Sequence, residues 1–61
     1  MTAIQLLEEE ILYNKKIIKE IQRFLPSIID IQEKNEDINR IEDLQASNIN
    51  FEVAIQILSD L

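Results

Sequence analysis

The chain of 61 residues contains no cysteine, no histidine and no glycine, and it has one proline. Without cysteine it can form neither a disulfide nor a thiolate metal site. Without histidine it lacks the commonest zinc ligand and the commonest general base, and without glycine it lacks the loops whose backbone closely approaches a phosphate group. These absences predict a protein with no cofactor, no metal ion and no catalytic residues.

The charge is mostly of one sign, because twelve Asp and Glu residues stand against six Lys and Arg, giving a formal net charge of −6. A nucleic-acid backbone requires a basic face, so we expect no nucleic acid among the partners. No apolar run approaches the ~20 residues that a membrane span needs, and the N-terminus lacks the basic region and cleavage site of a signal peptide. The sequence therefore predicts a cytoplasmic protein with no membrane partner.

Bulky aliphatic side chains are abundant, with thirteen isoleucines and seven leucines. That supply separates the chain from disordered acidic segments. A single small core rarely contributes more than ~3–5 kcal/mol to folding, and domains of this size usually add a disulfide, a metal ion or a second subunit. Because the first two are absent, size alone favours a homo-oligomer, most simply a dimer. A monomeric three-helix core is the alternative.

The spacing of the apolar residues predicts one all-helical domain over residues 1–61, a small bundle with a long N-terminal helix and two, or three, shorter helices. The first helix is predicted at residues 2–25. Thr2 and Gln5 form a capping box, and the glutamates precede the lysines in the order that the helix dipole favours.

The second helix is predicted over residues 27–46, either continuous or broken in its polar middle. Pro26 disfavours helical geometry at Leu25 and favours a new start, with Ser27 or Leu25 as the cap.

The third helix is predicted at residues 50–61, with Asn50 as its N-cap. The stretch 44–58, LQASNINFEVAIQIL, resembles the end of a ubiquitin-associated domain, in which a leucine closing the second helix is followed by asparagine, alanine and leucine at similar spacing. Residues 34–36, Lys-Asn-Glu, stand where ubiquitin binders of that family carry a Met-Gly-Phe loop. The resemblance implies a compact three-helix fold without ubiquitin recognition.

The apolar face of the first helix covers nearly half of its circumference, which is wider than the stripe of a two-stranded coiled coil. Such a face is expected to contact both another helix of its own chain and another subunit. The predicted oligomer interface consists of the residues at heptad positions a and d, which are Ile4, Leu7, Ile11, Asn14, Ile18, Ile21 and Leu25.

Asn14 is the one polar residue of this interface. A buried asparagine costs stability but fixes register and oligomer state, so Asn14→Leu is expected to raise the melting temperature while loosening the oligomer state. In the alternative interpretation the helix is turned slightly and Asn14 lies at the rim, in water.

The charges are divided unevenly along the chain, because residues 1–25 are neutral and residues 26–61 carry the whole net charge of −6. Two first helices packed antiparallel would set glutamates beside lysines, whereas a parallel pair would bring the glutamate clusters together. Exposed pairs contribute only ~0.2–1 kcal/mol each, so charge favours the antiparallel arrangement without deciding it. The acidic face predicted to meet a partner comprises Glu33, Glu36, Asp37, Glu42 and Asp43, unless these residues form only a solvated surface.

These patterns favour a small acidic adaptor or regulator that is not an enzyme and that binds both itself and an unidentified protein with a basic or mixed surface. One alternative is an inhibitor that mimics nucleic acid and occupies the basic groove of a nucleic-acid enzyme. Another is a purely structural assembly component. A mimic should lose its partner steeply as salt rises, whereas a helix anchored by apolar residues should lose little.

Overall fold

The computed structural model describes all 61 residues as a hairpin of two long α-helices. Helix α1 spans Ala3–Phe24, a 3-10 turn spans Leu25–Ser27, and helix α2 spans Ile31–Ser59. The hairpin measures 48 × 16 × 11 Å and has a radius of gyration of 14.3 Å, whereas a compact domain of this length would have about 10.5 Å. The fold is all-helical, as predicted, but the chain forms two helices instead of three.

The capping box at the start of α1 is present as predicted. Thr2 Oγ1 accepts a hydrogen bond from the Gln5 backbone N–H at 3.1 Å, and Gln5 Oε1 accepts one from the Thr2 backbone N–H at 2.9 Å. The two bonds satisfy donors that have no partner within the helix. Helix α1 ends at Phe24, close to the residue that the proline predicted.

The start of α2 differs from the prediction. Ser27 and Leu25 do not cap it, because both lie in the 3-10 turn, and Ile28 and Asp30 have extended backbone conformations. Asp30 is the N-cap, and its Oδ1 accepts a hydrogen bond from the Gln32 backbone N–H at 3.0 Å. An aspartate at this position also interacts favourably with the positive end of the helix dipole.

Helix α2 then runs for 29 residues without interruption, so the predicted break between residues 46 and 50 is wrong. The three-helix fold implied by the resemblance is absent with it, and Asn50 lies inside the helix instead of capping one. The prediction interpreted the polar run at residues 47–50 as a cap, but Asn48 is buried toward α1 and hydrogen-bonds across the hairpin. With no glycine or proline in this stretch, nothing in the sequence ends the helix there.

The two helices pack along one narrow seam. In each helix the least exposed positions recur at alternating spacings of three and four residues, which is the pattern of a two-stranded coiled coil. On α2 these positions are Lys34, Asp37, Ile41, Leu44, Asn48, Phe51 and Ile55. Because the chain reverses at the 3-10 turn, the seam is antiparallel.

Few side chains are buried in this seam. Ile11, Ile18 and Ile41 are the buried apolar residues, and none of them is completely inaccessible. The C-terminal residues Phe51 and Ile55 face α1 and are half-buried. The hairpin therefore has a thin core along its whole length, with the ends of both helices contributing to it.

Candidate interaction surfaces

A pair of asparagines occupies the middle of the seam. Asn14 Nδ2 donates a hydrogen bond to Asn48 Oδ1 at 2.9 Å, and Asn48 Nδ2 approaches the Ile11 carbonyl oxygen at 3.4 Å. Each asparagine is only 7% exposed, and every buried side-chain nitrogen or oxygen has a hydrogen-bond partner. Since a shift of either helix by one turn would separate the two amides in a buried site, the pair fixes the register of α1 against α2.

The structure therefore buries Asn14 and excludes the interpretation that places it in water. It also gives the stripe that was predicted as an oligomer interface a partner within the same chain. The members of that stripe form the α1 side of the intramolecular seam, and they are Ile4, Leu7, Ile11, Asn14, Ile18, Ile21 and Leu25. In this conformation, a contact between copies has to use the outer surfaces of the hairpin.

One outer surface is a groove beside the asparagine pair. It has a volume of about 650 Å³, and both helices line it. Helix α1 contributes Leu12, Lys15 and Lys19, and α2 contributes Gln45 and Ile49, among others. Asn48 also lines the groove, and its side chain is smaller than the leucine that is typical of a seam position.

The groove defines the two broad sides of the hairpin. Because Lys15 and Lys19 flank the α1 seam on the groove side, helical geometry places Ile17 and Phe24 on the opposite side, which we call the back. The same reasoning places Ser47 and Ala54 of α2 on the back, since Gln45, Ile49 and Glu52 are on the groove side.

The back of α1 carries a second apolar stripe. We define the back stripe as Leu6, Tyr13, Ile17 and Phe24, which recur at spacings of seven, four and seven residues. Leu6 is 52% exposed, Tyr13 61% and Phe24 61%, whereas Ile17 is half-buried beside the seam. Exposed aromatic and aliphatic side chains aligned on one helix face are a common feature of protein-binding surfaces.

The predicted acidic face is dispersed around α2. Glu36 and Asp43 lie on the same flank because they are seven residues apart, whereas helical geometry turns Glu42 toward the groove side. Asp37 is half-buried at the seam, and the other acidic residues of the set, including Glu33, are exposed. No group of acidic residues in the chain is arranged so that it could hold a metal ion.

The back stripe was not predicted as a binding surface from the sequence. Its signal was present in the width of the apolar face of the first helix, which includes Leu6, Ile17 and Phe24 and has Tyr13 on its edge. The prediction assigned the centre of that face to another subunit, because the continuous α2 that covers it was not recognised.

Comparison with protein families, with curated proteins and with solved structures finds no significant match for this chain. Neither helix has a segment long and apolar enough to cross a membrane. We therefore infer the function from the surfaces of the hairpin.

Proposed function

We propose that this chain is a small protein-interaction module, an adaptor or regulator that self-associates and binds a further protein without catalysing a reaction. The observation that carries the proposal is the exposed back stripe of α1, where Leu6, Tyr13 and Phe24 are each more than half exposed. Three large apolar side chains on one side of so small a fold are costly to leave in water. Covering them with another protein surface removes that cost.

The total surface area supports the same conclusion. The hairpin exposes 4903 Å², whereas a folded monomer of this mass typically exposes about 4,100 Å². The excess is similar to the ~800 Å² that each partner buries in a protein–protein interface of ordinary size. The exposed surface area of the chain is therefore closer to that expected of a subunit than to that of an independent globular domain.

The net charge of −6 suits a second partner whose surface is basic or mixed, because opposite charges accelerate association. The dispersal of Glu36, Asp43 and Glu42 around α2 gives less support to a mimic of nucleic acid, which requires negative charges in a row along one surface. A structural assembly component would use the same apolar surfaces, but it would have no partner other than itself.

Light scattering at micromolar concentration is expected to give at least twice the mass of one chain, at both about 0.1 M and about 1 M salt. Apolar association persists at high salt, whereas association through exposed charges is screened. A mass of one chain under both conditions would contradict self-association. Dissociation only at high salt would show that charge pairs, and not the back stripe, hold the copies together.

A further inference from the structure

We propose that the back stripe of α1 is covered by α1 of a second copy of this chain, packed antiparallel with its centre close to Ile17. This inference depends on the proposed function, since it specifies which surface self-associates and in which orientation. The product is a symmetric dimer of hairpins in which the two α1 helices meet at the back and the two grooves face outward.

The shape of the back stripe favours a second copy of the same helix as its partner. Leu6 and Phe24 lie at its ends, and Tyr13 and Ile17 lie near its middle, so the stripe extends along almost the whole of α1. Helical geometry gives this stretch a length of about 27 Å. An antiparallel partner with the same stripe is self-complementary over that length, as an isologous interface requires.

The charge pattern beside the stripe favours an antiparallel orientation of the two copies. Glu9, Lys16 and Arg23 are spaced by seven residues and therefore form one row on the surface of α1 opposite the seam, between the back stripe and the groove, which Lys16 also lines. In a parallel dimer with twofold symmetry, the two copies of this row would lie on opposite sides of the interface and could not pair with each other. In an antiparallel dimer Glu9 of each copy lies opposite Arg23 of the other, and only the central Lys16 meets its own symmetry mate.

The register set by these charge pairs also suits the residues of the stripe. With Glu9 opposite Arg23 of the second copy, the two Ile17 side chains meet near the symmetry axis. Tyr13 then lies beside Glu20 of the second copy, where its hydroxyl can donate a hydrogen bond to the carboxylate. The interface thus has an apolar centre with polar contacts on either side.

Two other ways of pairing the hairpins are less favourable. In one alternative, the two hairpins are related by an axis along their length, and the back of α1 packs on α2 of the second copy. The Asn14–Asn48 register would then place Glu20 beside Asp43 of that copy, and the two negative charges would repel each other. If the copies met through their groove sides, the contact would cover the exposed Leu12 and Ile49, but it would also desolvate the charged groove residues, which include Lys15, Lys19 and Glu52. The observed charges and apolar residues favour the antiparallel α1 pair.

The interface is tested by introducing a charge on each side of α1. Tyr13→Glu, on the back, is expected to weaken the dimer at least a hundredfold in sedimentation equilibrium. The matched control is Leu12→Glu, because Leu12 is 66% exposed, similar to Tyr13, but lies at the groove; it should change the dissociation constant less than threefold. At room temperature both variants should keep wild-type helicity, since neither side chain is buried within the hairpin, and the loss of the dimer in Tyr13→Glu should appear as a lower melting temperature.

The orientation is tested with cysteines, which the natural chain lacks, so every disulfide formed is unambiguous. A mixture of a Tyr13→Cys copy and a Glu20→Cys copy is expected to cross-link under mild oxidation, whereas either copy alone should cross-link at least tenfold less. Efficient cross-linking of Tyr13→Cys with itself would show a parallel pair and overturn the antiparallel arrangement.

The outcomes separate this inference from the proposed function. A wild-type dimer that is lost in Leu12→Glu but retained in Tyr13→Glu would leave self-association intact and overturn the back stripe as its interface. A dimer retained in both variants would do the same. A monomeric wild-type chain would overturn the dimer and the self-association together.

Discussion

Replacement of Ile41 by alanine is expected to leave most of the isolated chain unfolded at room temperature. Ile41 is one of three buried apolar residues and lies in the seam, two helical turns before Asn48. Truncating a buried isoleucine to alanine costs ~2–5 kcal/mol, and a single small core rarely contributes more than ~3–5 kcal/mol in total. Circular dichroism during urea titration should therefore show the folded baseline lost or strongly shortened.

The matched control for that substitution is Ile57→Ala in the same helix. Ile57 is 58% exposed and lies away from the seam, so its truncation should change the free energy of unfolding by less than ~0.5 kcal/mol. Equal destabilisation by the two variants would contradict the seam, because it would mean that burial in the hairpin does not distinguish these isoleucines.

Substitution of one asparagine of the pair should lower the melting temperature, whereas substitution of both should raise it. Asn14→Leu alone removes the donor to Asn48 Oδ1 and leaves a buried acceptor without a partner, which costs ~1–3 kcal/mol. This expectation reverses the one drawn from the sequence, where Asn48 was not recognised as the partner. Asn14→Leu combined with Asn48→Leu replaces both polar groups by apolar ones and should raise the melting temperature above that of the natural chain.

Thermal melts of the natural chain, the two single variants and the double variant form a double-mutant cycle, which isolates the coupling between the two residues. The double variant is also expected to lose its unique register, so that its association state becomes heterogeneous. Additive effects of the two single substitutions would show that the amides do not interact and would remove the pair as the determinant of register.

Much of α1 could be predicted from the sequence because its signals are local. The capping box of Thr2 and Gln5, the stripe at three-four spacing and the proline after the helix each act within a few residues. The place of Asn14 in that stripe left both a buried and a water-exposed position open, and its hydrogen-bond partner could not be predicted. Asn48 is 34 residues away, and only the folded hairpin brings the two side chains together.

Helix α2 was harder to predict because its seam positions include Lys34, Asp37 and Asn48, which interrupt the apolar periodicity. Residues 47–50 favour helix caps, and this local preference predicted a break. In the structure, packing against α1 determines the conformation of this stretch, which is helical. The same error explains why the α1 stripe was predicted to contact another subunit. A second helix that ended at residue 46 would have left part of that stripe uncovered. The breadth of the apolar face of α1 was the informative signal. Part of that face packs against α2 of the same chain, and the rest is the back stripe.

We propose that the hairpin is a subunit whose stability depends on association, and this dependence can be measured. It is tested most directly by the melting temperature of the natural chain, measured by circular dichroism over a hundredfold range of chain concentration. Because association stabilises the folded form by mass action, the melting temperature should rise continuously with concentration, by on the order of 10 °C across the range. Melting curves that superimpose at all concentrations would show that the hairpin folds and remains a monomer, and its stability would then not depend on association.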